Sequence, residues 1–203
     1  MRELPASPTS WTVMRGFTTI GHSNRPPEVV IEMLREAEVQ VVADVRTFPR
    51  SRKNPVFNLE TFPEALGAVQ IGYGHWPALG GRRPRQPEAD PEVNALWRVR
   101  SFHNYADYAL RPEFEVALDE LIALGRERRL ALMCAEAVWW RCHRRIITDH
   151  LLARGLEVLH LMGPGQSEAA RLTPGAVVSG GTVIYPAPEG QATASTVVPS
   201  RSA

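Results

Sequence analysis

The sequence predicts an α/β fold of three layers: a mainly parallel sheet of about five strands with helices on both faces. Three observations predict it. Strand-like apolar runs alternate with helix-like stripes along most of the chain, as strand–helix–strand units require. The central runs, 39–45 and 129–133, are almost continuously apolar, as strands buried on both sides are. Three of the runs end on polar, chemically capable residues, at the sheet end where α/β folds bind ligands.

The elements follow in chain order. Residues 16–21 are β-branched and apolar, so a strand, and lead into His22 and Ser23. Pro26 and Pro27 suit a first helical turn, where a missing N–H costs nothing. Val29, Val30, Met33, Leu34 and Ala37 then form an apolar helical stripe. Residues 39–45 make the next strand, ending around Asp44 and Arg46. A basic, Pro-punctuated loop covers 47–58, a short helix 59–69 with Pro63 in its first turn, and a third strand 70–73. The long 74–91 loop carries Gly80-Gly81 and three arginines; a loop of this length inside a domain is usually functional or mobile. Helices are expected over 101–109 and 112–124, the second burying Phe114, Ala117, Leu118, Leu121 and Ile122. A buried strand then ends on Cys134 and Glu136, and a following helix is expected to hold Cys142 in its first turn. Gly155 stops that helix, 156–161 is the last clear strand, and 182–185 suits an edge strand. One domain is therefore expected over 16–186, after a loose leader (1–15). The Pro/Ser/Thr/Ala-rich tail from 187 to 203 is expected to be disordered.

At 203 residues, 44% apolar and 22% charged, the chain suits one globular domain with a proper core. It has no apolar run of membrane-spanning length and its N-terminus lacks a signal-peptide core, so no membrane partner is expected. Two cysteines argue against a disulfide scaffold and fit a cytoplasmic location. The net charge of +1 names no partner. Lys53 is the one lysine among 23 basic residues, and arginine forks suit phosphate and carboxylate. A GC-rich coding sequence gives the same bias, so only clustered arginines count as signal.

If the strands are parallel, His22, Ser23, Asp44, Arg46, Cys134 and Glu136 share one rim, joined by Cys142, His143 and Arg144. Asp44 and Glu136 then make a general acid–base pair, with His143 able to move protons. Arg46 and Arg144 are phosphate clamps, with His22 and Ser23 beside them. Interleaved aromatics, with Tyr105 and Tyr108 three apart on one helix face, suit base stacking. Cys142, flanked by cations near a helix N-terminus, is a candidate nucleophile or redox centre. Cys134, Cys142 and His143 are also three soft metal ligands, with His22 or Glu136 as a fourth. Seven residues separate the cysteines and no second pair exists, which departs from structural zinc spacing, so no metal is assigned. The same two cysteines can span a strand-to-helix turn as a disulfide. A tyrosine-phosphatase loop is excluded: six residues, not five, separate Cys134 from Arg141, and the intervening loop has no glycine. Glycine-rich nucleotide-binding signatures are absent.

Thr19-Ile20-Gly21-His22-Ser23 opens a set of short motifs along the chain. It continues with Asp44-Val45-Arg46 followed by Pro49 and Ser51, then Leu79-Gly80-Gly81, then Phe102 with Tyr105 and Tyr108. It closes with Cys134-Ala135-Glu136 and Cys142-His143-Arg144. As an ordered set, from about Thr18 to Tyr185, these resemble the bacterial and archaeal domain-of-unknown-function family 488. The resemblance implies a single α/β domain and gives no activity. Three function classes follow from the residues. The first is a hydrolase or transferase acting on a nucleotide or nucleic acid through Asp44 and Glu136. The second is a thiol enzyme using Cys142. The third is a non-catalytic nucleic-acid-binding module. No cofactor is identified by any of them.

Overall fold

A computed structural model describes residues 16–188. The expected leader and nearly all of the expected tail lie outside the described residues.

The central sheet has six strands in the order β3-β2-β4-β1-β5-β6. Strands β1 (Phe17–Gly21), β2 (Val41–Asp44), β3 (Gly72–His75), β4 (Leu130–Cys134) and β5 (Val158–Gly163) are parallel to their neighbours. Strand β6 (Gln166–Ala169) returns antiparallel beside β5. Every residue of β1 and β4 is buried; β4 is apolar throughout, and the two polar residues of β1, Thr18 and Thr19, bond to the Leu130 carbonyl and to His160. Two departures from the sequence reading occur at the far edge. All four β6 residues are exposed, so that strand carries no apolar alternation to read. The predicted edge strand near 182–185 is β8 (Thr182–Ile184), which pairs with β7 (Val177–Ser179) in a separate hairpin.

The two faces of the sheet carry separate cores. On one face Val30, Met33 and Leu34 of α1 (Pro27–Glu36) and Phe62 and Leu66 of α2 (Phe62–Gly67) pack on Ile20, Val42, Ala131 and Met133. On the other, α3 (Arg100–Tyr108), α4 (Pro112–Glu127) and α5 (Arg144–Ala153) pack on Phe17, Ala43, Leu130 and Leu132. Side chains alternate across a strand, so Leu130, Leu132 and Cys134 share the second face. Cys142 lies in that same core.

The register sets the rim. Gly21 pairs with Cys134 and Asp44 with Met133, so β2, β4 and β1 end level and side by side. The helix after β1 packs on one face and the helix after β4 on the other. Adjacent strands whose connections diverge in this way leave a crevice beyond their carboxyl ends.

Candidate active site

A cleft of about 1090 Å³ opens at that crevice. Its walls include His22, Ser23, Arg46, Glu136, Cys134, Cys142 and His143. Tyr105 reaches it too, whereas Asp44, Arg144 and Tyr108 are not among its lining residues.

The first wall is closed by a buried ion pair. Asp44 is fully buried. Arg46 Nε donates to both of its carboxylate oxygens, at 2.9 and 3.0 Å, and Nη2 donates to Oδ2 at 2.5 Å. The Tyr73 hydroxyl adds a bond to Oδ2 at 2.6 Å, and burial followed by the Asp44 charge raises the Tyr73 pKa. The Arg46 guanidinium also donates to the Phe57 carbonyl at 2.7 Å and lies 3.2 Å from His22 Nε2. His22 stacks on Phe57 with its Nδ1 3.0 Å from the Ser23 carbonyl. A carbonyl only accepts, so the proton is on Nδ1 and Nε2 accepts from Arg46. Burial, more than the Arg46 charge, pushes the His22 pKa down to about 4. Asp44, expected as an acid–base group, is placed against Arg46 and Tyr73 and off the cleft lining. Arg46 and His22 serve that pair before any ligand.

The second wall is built from β4 and the entry to α5. Strand β4 ends on Cys134, the chain crosses 135–138, and a 3-10 turn (Trp139–Arg141) delivers Cys142. Cys142 is extended at φ −129°, ψ 148°, and His143 caps the helix. Cys142 therefore precedes the helix by two residues instead of sitting in its first turn. The 135–137 segment passes directly over β1: a Cβ on Gly21 would lie 1.8 Å from the Glu136 carbonyl oxygen, so only glycine fits.

His143 Nε2 lies 2.8 Å from the Val45 carbonyl and therefore carries a proton. That turns Nδ1 toward the thiols, 3.5 Å from Cys142 Sγ and 4.0 Å from Cys134 Sγ. The ring is held by close neighbours. Tyr105 meets it edge-on at 5.1 Å, and a Cβ on Gly81 would come within 2.3 Å of Nδ1. The Tyr105 and Tyr108 hydroxyls donate to the carbonyls of Leu79 and Ala78, at 2.7 and 2.8 Å. These tyrosines pin the Gly80-Gly81 loop against His143; of the two expected to hold substrate, Tyr105 lines the cleft and Tyr108 does not.

Arg144 is also placed differently from expectation. Only 1% exposed, it donates from Nε to Cys142 Sγ at 3.3 Å and from Nη2 to the Glu136 carbonyl at 2.6 Å. Among the described residues no carboxylate lies within ion-pair distance of it. A buried guanidinium needs an anion, and the ionisable group it touches is the Cys142 thiol. Burial opposes ionisation of Cys142, but a hydrogen bond from Cys134 and the charges at His143 and Arg144 outweigh it. They hold the Cys142 pKa well below the ordinary thiol value. The bond to Cys142, with burial, holds the Cys134 pKa well above it. Ionisation of the pair is thus favoured at Cys142 and opposed at Cys134.

Glu136 is exposed at the cleft mouth. Ser23 is half-buried on the lining at φ 50°. Exposed Arg50, Lys53, Arg82 and Arg141 surround the opening, so the entrance is cationic. Cys134, Cys142 and His143 offer three ligand atoms within 4.8 Å of one another, a set able to hold a soft metal ion. Arg144 against Cys142 opposes a second cation there.

Sequence reasoning missed three contributors: Tyr73, which closes the Asp44 carboxylate; the Val45 carbonyl, which fixes the His143 tautomer; and Gly81, which backs the imidazole. The Leu79-Gly80-Gly81 motif was the available signal for the last. Among the described residues no helix is long and apolar enough to cross a membrane. No curated protein and no solved structure matches the chain. A family match covers residues 26–151, from α1 to within α5, and takes in Asp44, Arg46 and the whole second wall; the chain belongs to the family described as Domain of unknown function DUF488.

Proposed function

We propose that the protein is an enzyme that acts on an anionic substrate in the strand-end cleft, with Cys142 as nucleophile and His143 as its proton partner. One observation carries this reading: the buried Arg144 guanidinium has the Cys142 sulfur, at 3.3 Å, as its ionisable partner. A thiolate stabilised at the wall of an open cleft is a prepared nucleophile. His143 Nδ1, 3.5 Å from that sulfur, is in reach of the thiol or leaving-group proton. The cationic mouth favours an anion, and Phe48 and Phe102 on the lining suit one that carries a ring, such as a nucleotide. A hydrolase or transferase reaction in which Cys142 takes a transferred group fits this arrangement. In this reading Asp44 is the partner of Arg46 and takes no proton-transfer role.

Iodoacetamide labelling across pH 5–9, with mapping of the modified residue, tests the proposal. Cys142 is expected to alkylate well below pH 8, Cys142→Ser to abolish fast labelling, and inorganic phosphate or a nucleoside monophosphate to slow it. A Cys142 that reacts only as an ordinary thiol, above pH 8, would falsify the nucleophile assignment.

A further inference from the structure

Cys134 is left without a role by that reading, although it lines the same cleft and contacts the same imidazole. Its sulfur, the Cys142 sulfur and His143 Nδ1 lie within 4.8 Å of one another. The two cysteines are the only ones in the chain. They are chemically unequal, because Arg144 Nε touches Cys142 and not Cys134. Two thiols at one cleft wall, with one imidazole between them and a buried guanidinium against only one of them, are the arrangement a dithiol uses to resolve a mixed disulfide.

We infer that Cys134 is a second catalytic thiol: Cys142 attacks an anionic disulfide drawn in by the cationic mouth, and Cys134 then displaces the bound half to close a Cys134–Cys142 disulfide. This rests on the nucleophile assignment above and adds a thiol–disulfide exchange activity to it. In the first step the Cys142 thiolate forms a bond to one sulfur of the disulfide R–S–S–R, and the S–S bond breaks, releasing R–S⁻, which takes the His143 Nδ1 proton and leaves the imidazole neutral. In the second, the Cys134 thiol gives its proton to His143 Nδ1 and its sulfur attacks Cys142 Sγ. The mixed disulfide breaks, and the second R–S⁻ takes the proton as R–SH. The protein pair loses two electrons and the substrate gains them; two equivalents of an external thiol return the pair to the reduced state.

The experiment uses 5,5′-dithiobis(2-nitrobenzoate), an anionic aromatic disulfide, on the reduced full chain, with stopped-flow absorbance and intact mass as readouts. Wild type is expected to release two equivalents of the coloured thiolate. The second should appear at a rate independent of reagent concentration, leaving a protein two hydrogens lighter and free of adduct. Cys134→Ser, with Cys134→Ala as a second variant, should release one equivalent and keep the adduct on Cys142. Wild type that keeps one adduct, or carries one on each cysteine, overturns the inference while the nucleophile assignment stands. Fast first-equivalent release from Cys142→Ser overturns the nucleophile assignment itself. One zinc ion released per chain on thiol modification, read with a chromogenic chelator, overturns the inference in favour of a metal centre.

Discussion

Arg46 and Arg144 are the same device used twice. Each is buried, each follows its anionic partner by two residues, and each adds a bond to a backbone carbonyl. They differ in the partner. Asp44 is a carboxylate filled by Arg46 and Tyr73 and withdrawn from the cleft. Cys142 is a thiol with one guanidinium contact, at the cleft wall. The first pair is complete and holds β2 and the Phe57 turn together; the second still has a sulfur to offer. Burial and charge alone do not mark a reactive site, and the open valence of the anion separates the two.

The most severe way to break this comparison is Asp44→Asn. It strands the Arg46 charge, and removing one partner of a buried pair costs about 3–5 kcal/mol. Urea unfolding should show that loss; near-wild-type stability with lost turnover would return Asp44 to catalysis. Next in size is an acid effect on the closed side. Unfolded His22 takes a proton near pH 6.5 and folded His22 only near 4. The unfolded state therefore binds more protons in that window, and stability falls as pH drops through it, by up to about 3 kcal/mol from this group. His22→Asn should flatten that part of the stability–pH curve, and an unchanged slope would show that His22 is not its source.

On the open side, Arg144→Met removes the cation that favours the thiolate. Alkylation of Cys142 at pH 6 should slow about tenfold for each unit its pKa rises above 6. A variant that labels as fast as wild type would make Arg144 a packing residue only. The smallest effect is expected from Tyr73→Phe, which deletes one bond to Asp44 for a loss of about 1–2 kcal/mol. Its Cys142 labelling rate should not move. A change in both readouts would mean that the two walls are coupled.

Much of this comparison was legible in the sequence. Buried parallel strands declare themselves by continuous apolar runs, and polar residues at the ends of β1, β2 and β4 located the rim. Cys142-His143-Arg144 stood out because cations crowd a cysteine near a helix start. The saturation of Asp44 was not legible, since it depends on Tyr73, brought alongside by the β2–β3 pairing 29 residues away. Nor was the work of Tyr105 and Tyr108. Spacing put them on one helix face, but their hydroxyls end on carbonyls 26 and 30 residues earlier, which only the packing of α3 decides. Cys142 fell ahead of its helix because its extended backbone delays the helix start, and a run of apolar residues does not fix where a helix begins.

The crossing at Gly21 has a genetic consequence. The peptide it lets through is the one whose carbonyl steadies the Arg144 side chain. One added methyl group, more than a hundred positions upstream of the thiols, would displace that carbonyl while leaving every polar side chain in place. An alanine allele there would score as a null in any screen for thiol reactivity, with no mutated chemical group to explain it.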